Sequence, residues 1–191
     1  TARIRTGDSV AIVGLGGVGL SGLLGAVVGG AEKIVAIDLS DEKLGLARQL
    51  GATHTVNATD PDHVEQVRDL TGGGVDFAFD LAGTIKAMET AYNVTRYGGS
   101  VVTAGLSPSA ANFSFNQSNL VSQEKSIRGS YMGSCVPVRD IPRFIDLYRQ
   151  GRLPVDRLVD RTIGFEEVNV AFDKLQSNAT VRQVLTPHGA A

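Results

Sequence analysis

The sequence has a single cysteine, Cys135, among 191 residues. One thiol excludes an internal disulfide and any cysteine-rich zinc cage, and it suits a reducing, cytoplasmic compartment. Excess charge of either sign is missing too. The 18 Lys and Arg stand against 20 Asp and Glu, a formal net charge of -2. No broad basic field exists to hold a nucleic-acid backbone. No apolar run is long enough to span a bilayer without charges or glycines interrupting it. The N-terminus carries neither an initiator methionine nor a signal or transit pattern. Residues 1–8 lead at once into an apolar run, which reads as a cut inside a longer protein. What remains is an ordinary soluble composition, 42% hydrophobic and 20% charged. A chain of this length forms one compact domain, or one domain with an appendage, and buries roughly 70% of its unfolded surface.

Glycine is plentiful, with 23 residues, many of them at the ends of apolar runs. From residue 9 to about 102 the pattern repeats as short apolar run, turn and helical stretch. Strands are expected over residues 10–13, 33–37, 53–56, 75–79 and 100–104. The first is continuously apolar, as a strand covered on both faces should be. Helices are expected over 17–28, from Ser40 as N-cap to a stop at Gly51, over 60–70, and over 85–95. Strands alternating with helices imply a doubly wound parallel α/β sheet of the Rossmann type. After Gly105 the texture changes. Residues 106–119 read as a loop with a short strand at 113–115, and 126–132 as a sixth strand. Asp140 is the expected cap of a helix burying Ile141, Phe144, Ile145 and Tyr148. A last helix carries Val168, Ala171, Phe172 and Leu175, and residues 181–185 form a terminal strand. The expected fold is thus a Rossmann sheet with a C-terminal helical and strand appendage.

Gly14-Leu15-Gly16-Gly17-Val18-Gly19 fits G-x-G-x-x-G. Such a match is weak alone. Here it follows a strand, opens an apolar helix, and has Asp38 about 20 residues beyond, at the end of strand two. Gly14 permits the tight turn, Gly16 lets backbone N–H groups approach a pyrophosphate, and Gly19 allows close helix–strand packing. The helix N-terminus adds unpaired N–H donors and a favourable dipole. Asp38 can accept hydrogen bonds from ribose hydroxyls, which favours NAD over a 2′-phosphorylated cofactor. A methyltransferase also uses a glycine loop and an acidic residue ending strand two, but the third glycine favours a dinucleotide. A short-chain dehydrogenase would want Tyr-x-x-x-Lys. Tyr92, Tyr131 and Tyr148 are followed at that spacing by Arg96, Cys135 and Arg152.

The glycine loop, Asp38 with Lys43, and Gly51-Ala52-Thr53 together resemble the zinc-type medium-chain alcohol dehydrogenases. Gly73-Gly74-Val75-Asp76-Phe77, residues 129–134, Phe165-Glu166-Glu167-Val168-Asn169 and Val181-Arg182 extend the resemblance over nearly the whole chain. It is nearest to NAD-linked members acting on primary alcohols, formaldehyde and aryl alcohols. The resemblance implies that Gly14, Gly16, Gly17, Val18 and Gly19 cradle the pyrophosphate and that Asp38 binds the ribose with Lys43 nearby. It places Leu81, Ala104, Gly105 and Leu106 at the nicotinamide end, and Arg182 on the pyrophosphate from the C-terminal segment. It also divides the chain into a cofactor domain, residues 1–134, and a C-terminal piece of an otherwise absent catalytic domain, residues 135–191. In the family, zinc is held by residues of that catalytic domain. His54, His63 and His188 have no ligand-like spacing, so this chain is expected to contain neither metal ligands nor catalytic residues and to be inactive alone. The implied whole protein transfers hydride between a small alcohol or aldehyde and NAD, and forms a homodimer through the 126–132 edge. Rival readings are a zinc-free quinone or enoyl reductase of the same superfamily and a non-catalytic NAD-sensing module.

Overall fold

The computed structural model describes residues 1–176 and 180–187. Among the described residues, eight strands and seven helices follow in chain order: β1 Ser9–Val13, α1 Gly17–Gly29, β2 Lys33–Asp38, α2 Asp41–Gln49, β3 His54–Asn57, α3 His63–Thr71, β4 Val75–Asp80, α4 Ile85–Val94, β5 Thr95–Thr103, α5 Gln117–Ser122, β6 Ser126–Gly129, α6 Pro137–Arg149, β7 Arg161–Ile163, α7 Val168–Gln176 and β8 Gln183–Leu185. The first six strands form one sheet in the order β3-β2-β1-β4-β5-β6, and every neighbouring pair is parallel. This is the doubly wound α/β arrangement. Its direction reverses between β1 and β4, and a ligand crevice opens beyond the strand ends at such a reversal.

Residue parity divides the core. Ala11, Val13, Val35 and Ile37 face one side and pack with Val67 of α3 and with Ala87, Met88 and Ala91 of α4. Val10, Ile12, Ile34 and Ala36 face the other, against Leu20, Leu23 and Leu24 of α1 and Leu44 and Ala47 of α2. Successive side chains point to opposite faces and both faces are covered, so these strands are apolar throughout rather than alternating. Local signals end the helices where the sequence indicated. Gly30 (φ +82°) closes α1, Ser40 Oγ accepts from the Lys43 amide at the start of α2, and Gly72 (φ +73°) ends α3.

Several expectations past residue 94 are corrected. β5 begins at Thr95, five residues early, because the chain pairs Val75 with Thr95 and then bulges through Gly98 (φ +72°) before Phe77 meets Ser100. Residues 113–115 are not a strand. Phe113 packs edge-on against Tyr92 at 5.9 Å, with Phe115 stacked 5.9 Å from it. β6 stops at Gly129, short of Met132. α6 begins at Pro137, with Val136 as its cap residue. Asp140 lies inside the first turn, where its carboxylate accepts from the Val136 amide at 2.8 Å. The Arg139 guanidinium, aided by that amide and by Arg143, holds the carboxyl well below the usual carboxylate range. The stripe expected to be buried is exposed: Ile141, Phe144, Ile145 and Tyr148 are 43–51% accessible. No described element packs over that face.

One attachment of the C-terminal part to the sheet lies beside α1. A short 3₁₀ turn, Val155–Leu158, inserts Leu158 into the α1 side of the core, and Arg157 donates to the Gln49 carbonyl at 3.0 Å. The terminal strand is shorter than expected and pairs in parallel with β7, which the sequence pattern did not indicate. His188 lies outside the described residues. Among the described residues, no helix is long and apolar enough to cross a membrane.

Candidate functional site

Beyond the C-terminal ends of β1, β2 and β4 lies a cleft of about 1010 Å³. Gly14, Leu15 and Gly16 form one wall, Asp38, Leu39 and Ser40 the next, and Leu81, Ala82 and Thr84 the third. Lys43 of α2, His63 of α3 and Thr90 of α4 complete the rim. Of the residues singled out in the sequence, Gly14, Gly16, Asp38, Lys43 and Leu81 therefore share one surface.

The glycines differ in what they do. Gly14 has φ +91°, its amide donates to the Ile37 carbonyl at 2.9 Å, and a Cβ there would lie 2.7 Å from that of Ala82. Gly16 has an ordinary φ of -74°, and a Cβ on it would meet nothing within 4 Å. The open space beside its backbone is on the cleft. Gly19 is buried, and a Cβ there would run into the Gly14 carbonyl group. No side chain caps α1 and no acid stands in its first turn, so its leading amides face outward without a side-chain acceptor. Val18 is exposed on that turn. Arg182 arrives from far along the chain. A Cβ on Gly17 would sit 3.4 Å from Arg182 Nη2, so the guanidinium lies against the helix start. Asp160 fixes this approach by accepting from the Thr180 hydroxyl and from the Val181 and Arg182 amides.

Asp38 ends β2 with both carboxylate oxygens engaged. Oδ2 accepts from the Leu15 amide at 2.7 Å, and Oδ1 accepts from the Ser40 amide at 3.0 Å. The acid is thereby locked to the glycine loop and to the cap of α2. Each oxygen keeps a further lone pair for a ligand hydroxyl. The ammonium of Lys43 has no partner among the described residues. Leu81 donates its amide to the Val13 carbonyl at 2.9 Å. Ala104, Gly105 and Leu106 do not line the cleft; the Ala104 and Gly105 amides both donate to the Asp80 carbonyl, and Leu106 stands 79% exposed.

Two residues, His63 on this surface and Asp80 buried at the end of β4, were not singled out as site residues from the sequence. His63 bridges helices, with Nδ1 2.7 Å from the Asp60 carbonyl and Nε2 3.0 Å from Thr90 Oγ1. A carbonyl only accepts, so Nδ1 carries a proton, and Nε2 shares a hydrogen bond with the Thr90 hydroxyl. Asp80, the last residue of an apolar strand, is 2% exposed. A charge ending a run such as Val75-Asp76-Phe77-Ala78-Phe79-Asp80 was the available signal for it. Among the described residues, no group of three or more His, Cys, Asp or Glu side chains could hold a metal ion. Cys135 is exposed. The described donor set does not fit zinc.

The family model for zinc-binding dehydrogenases matches residues 17–150. Among curated proteins, the chain is 30% identical to an S-(hydroxymethyl)glutathione dehydrogenase of Paracoccus denitrificans, over 97% of this chain and 51% of that protein. Its fold superposes on the benzyl alcohol dehydrogenase of Acinetobacter calcoaceticus with a TM-score of 0.92, at 33% identity over 96% of this chain and 50% of the other. A zinc-binding dehydrogenase from Sinorhizobium meliloti 1021, solved bound to NADP, gives a TM-score of 0.86 at 27% identity, over 97% of this chain and 54% of that one. The chain spans about half the length of these relatives. With its six-stranded parallel sheet and its glycine loop, the chain belongs to the zinc-binding dehydrogenase family, the zinc-type medium-chain alcohol dehydrogenases.

Proposed function

We propose that this chain is the cofactor-binding half of an NAD-linked alcohol dehydrogenase acting on a primary or aryl alcohol and its aldehyde. The observation that carries the reading is Asp38, held by the Leu15 and Ser40 amides on the rim of the cleft that the glycine loop lines. The residues present fit a dinucleotide. Gly16 leaves room for phosphate against the backbone, the first turn of α1 offers amides, Arg182 offers a cation beside Gly17, and Asp38 offers acceptors to ribose. When bound, the nicotinamide accepts or returns a hydride. The chain's own work is to orient that ring, with Leu81 lining that end of the cleft, Ala104, Gly105 and Leu106 on the loop packed beside it, and Lys43 near the adenosine ribose.

In this reading residues 1–134 form the cofactor domain and 135–191 complete a catalytic domain that supplies zinc and the substrate pocket. The chain alone is then inactive. The names of the relatives, a hydroxymethylglutathione dehydrogenase and a benzyl alcohol dehydrogenase, support the alcohol class. The exposed edge of β6 supports a homodimer, since among the described residues it pairs only with β5 and leaves its other side open.

Cofactor choice provides the test. A 2′-phosphate beside Asp38 places like charges about 4 Å apart, worth roughly 4 kcal/mol at an effective dielectric near 20. A lost charge-assisted hydrogen bond adds about 1.5–3 kcal/mol. Asp38 cannot swing aside without releasing two amides. After discounting for solvent and for the nearby Lys43 ammonium, NAD is expected to bind on the order of 100-fold more tightly than NADP. Calorimetric titration of both cofactors checks this, and equal affinities would sink the assignment of Asp38.

A further inference from the structure

Asp80 is a buried carboxylate with no ionic partner among the described residues, placed where β4 and β5 end. An unpaired buried charge is costly unless hydrogen bonds surround it. Three neutral donors do so here. Oδ1 accepts from the Ala82 amide at 3.2 Å and the Gly83 amide at 3.3 Å, and Oδ2 accepts from Thr103 Oγ1 at 2.8 Å. The main-chain oxygen of the same residue accepts from Ala104 at 3.0 Å and Gly105 at 3.2 Å. One residue thus ties down both loops that leave the central strands.

The two loops touch directly. Gly83 has φ +72°, and a Cβ on it would come 2.9 Å from the Leu106 nitrogen. A Cβ on Gly105 would come 2.5 Å from Gly83 Cα. Ser107 Oγ adds a hydrogen bond to the Gly83 carbonyl at 3.0 Å. Strand pairing alone requires none of this, since β4 and β5 are already in register up to Asp80 and Thr103.

We propose that Asp80 is a positioning residue that sets the wall against which the nicotinamide half of the cofactor rests. It does so by holding Leu81, which lines the cleft, in fixed relation to the loop of Ala104 and Leu106 packed beside it. The inference depends on the cofactor reading above. Asp80 touches no part of the ligand itself, and the ADP-ribose half, over Asp38 and the glycine loop, does not depend on it.

The test titrates the chain calorimetrically with NADH and with ADP-ribose, which lacks the nicotinamide. Asp80→Ala strands two amides and a hydroxyl, so NADH affinity should fall about tenfold or more while ADP-ribose affinity stays within about twofold. Asp80→Asn should restore most of the loss, because its carbonyl can accept from both amides and its NH₂ can donate to Thr103 Oγ1. Thr103→Val keeps the shape and removes one donor, so it should give the same pattern at smaller size and remains informative if the alanine variant does not fold. Equal losses for both ligands would reduce Asp80 to general support of the fold and overturn the proposal. Unchanged NADH binding in Asp80→Ala and Thr103→Val, or a wild-type chain binding NADH no more tightly than ADP-ribose, would overturn it as well. A wild-type chain binding neither ligand would instead refute the cofactor reading on which the proposal stands.

Discussion

Gly16→Ala and Gly19→Ala change two positions three residues apart in one loop, yet the structure gives them different consequences. A Cβ on Gly19 would lie 2.8 Å from the Gly14 carbonyl carbon and closer still to its oxygen. Carbon atoms prefer about 3.5–4.0 Å, so α1 must retreat from the β1 turn by at least ~0.7 Å. Neither partner yields easily, because the Gly14 amide is bound to the Ile37 carbonyl and the Leu20 amide to the Gly16 carbonyl, each at 2.9 Å. Overpacking of this kind costs about 1–3 kcal/mol, which lowers the melting temperature of a chain this size by roughly 2–12 °C. Gly16 is the opposite case. Its φ of -74° suits alanine, and the added methyl meets no protein atom within 4 Å. The loss of a glycine helix cap, up to about 1 kcal/mol, is offset by about 0.4–1 kcal/mol from restricting the unfolded chain. The methyl does, however, occupy the space where phosphate would meet the backbone. One lost charge-assisted hydrogen bond corresponds to about 10–150-fold in NAD affinity. Scanning calorimetry and NAD titration of both variants read out the two effects. Wild-type NAD affinity in Gly16→Ala would refute the cradle, and an unchanged melting temperature in Gly19→Ala would refute the tight crossing.

Lys125 gives a pH prediction. Burial pushes its pKa down to about 8, and repulsion from Arg68 adds to the fall. Between about 8 and the ordinary 10.5 the unfolded chain binds more protons than the folded one, so stability should rise with pH across that window. The full shift corresponds to about 3 kcal/mol, and the Tyr92 carbonyl and ring, both of which favour the ammonium, reduce this to about 1–2 kcal/mol. Urea unfolding should show the rise in the wild type and lose it in Lys125→Met; the same slope in both would refute the assignment. For assembly, light scattering at micromolar concentration should give a dimer mass that Tyr131→Pro, just past the β6 edge, reduces to monomer. A monomeric wild type would rule out that edge as an assembly site in this chain.

The sequence by itself determined the sheet and the glycine-loop end of the cleft. Strands covered on both faces are apolar throughout, and Gly14 (φ +91°) and Gly19 stand where a strongly positive φ or a close crossing of backbones requires glycine. β1, α1, β2 and α2 were therefore readable to within a residue or so, along with Gly14, Gly19 and Asp38, while Gly16 was readable only from the spacing of its motif. These features depend on neighbours within a few tens of residues, and each leaves its own residue type behind. The C-terminal third was less legible, because helical periodicity reveals an apolar face but not what covers it. Ile141, Phe144, Ile145 and Tyr148 have the spacing of a buried stripe and stand half exposed. Asp140 looked like a cap and is a carboxylate gripped by two arginines one turn inside its helix. Only the tertiary structure could bring Arg182 against Gly17, insert Leu158 beside α1, join His63 to Thr90, and surround Asp80 with donors from two loops. Apart from the Asp80 bonds to the Ala82 and Gly83 amides, each of these contacts links residues whose separation along the chain carries no periodic signal. Their energies come from burial and hydrogen bonding that exist only once the sheet has set the distances between the loops at its end.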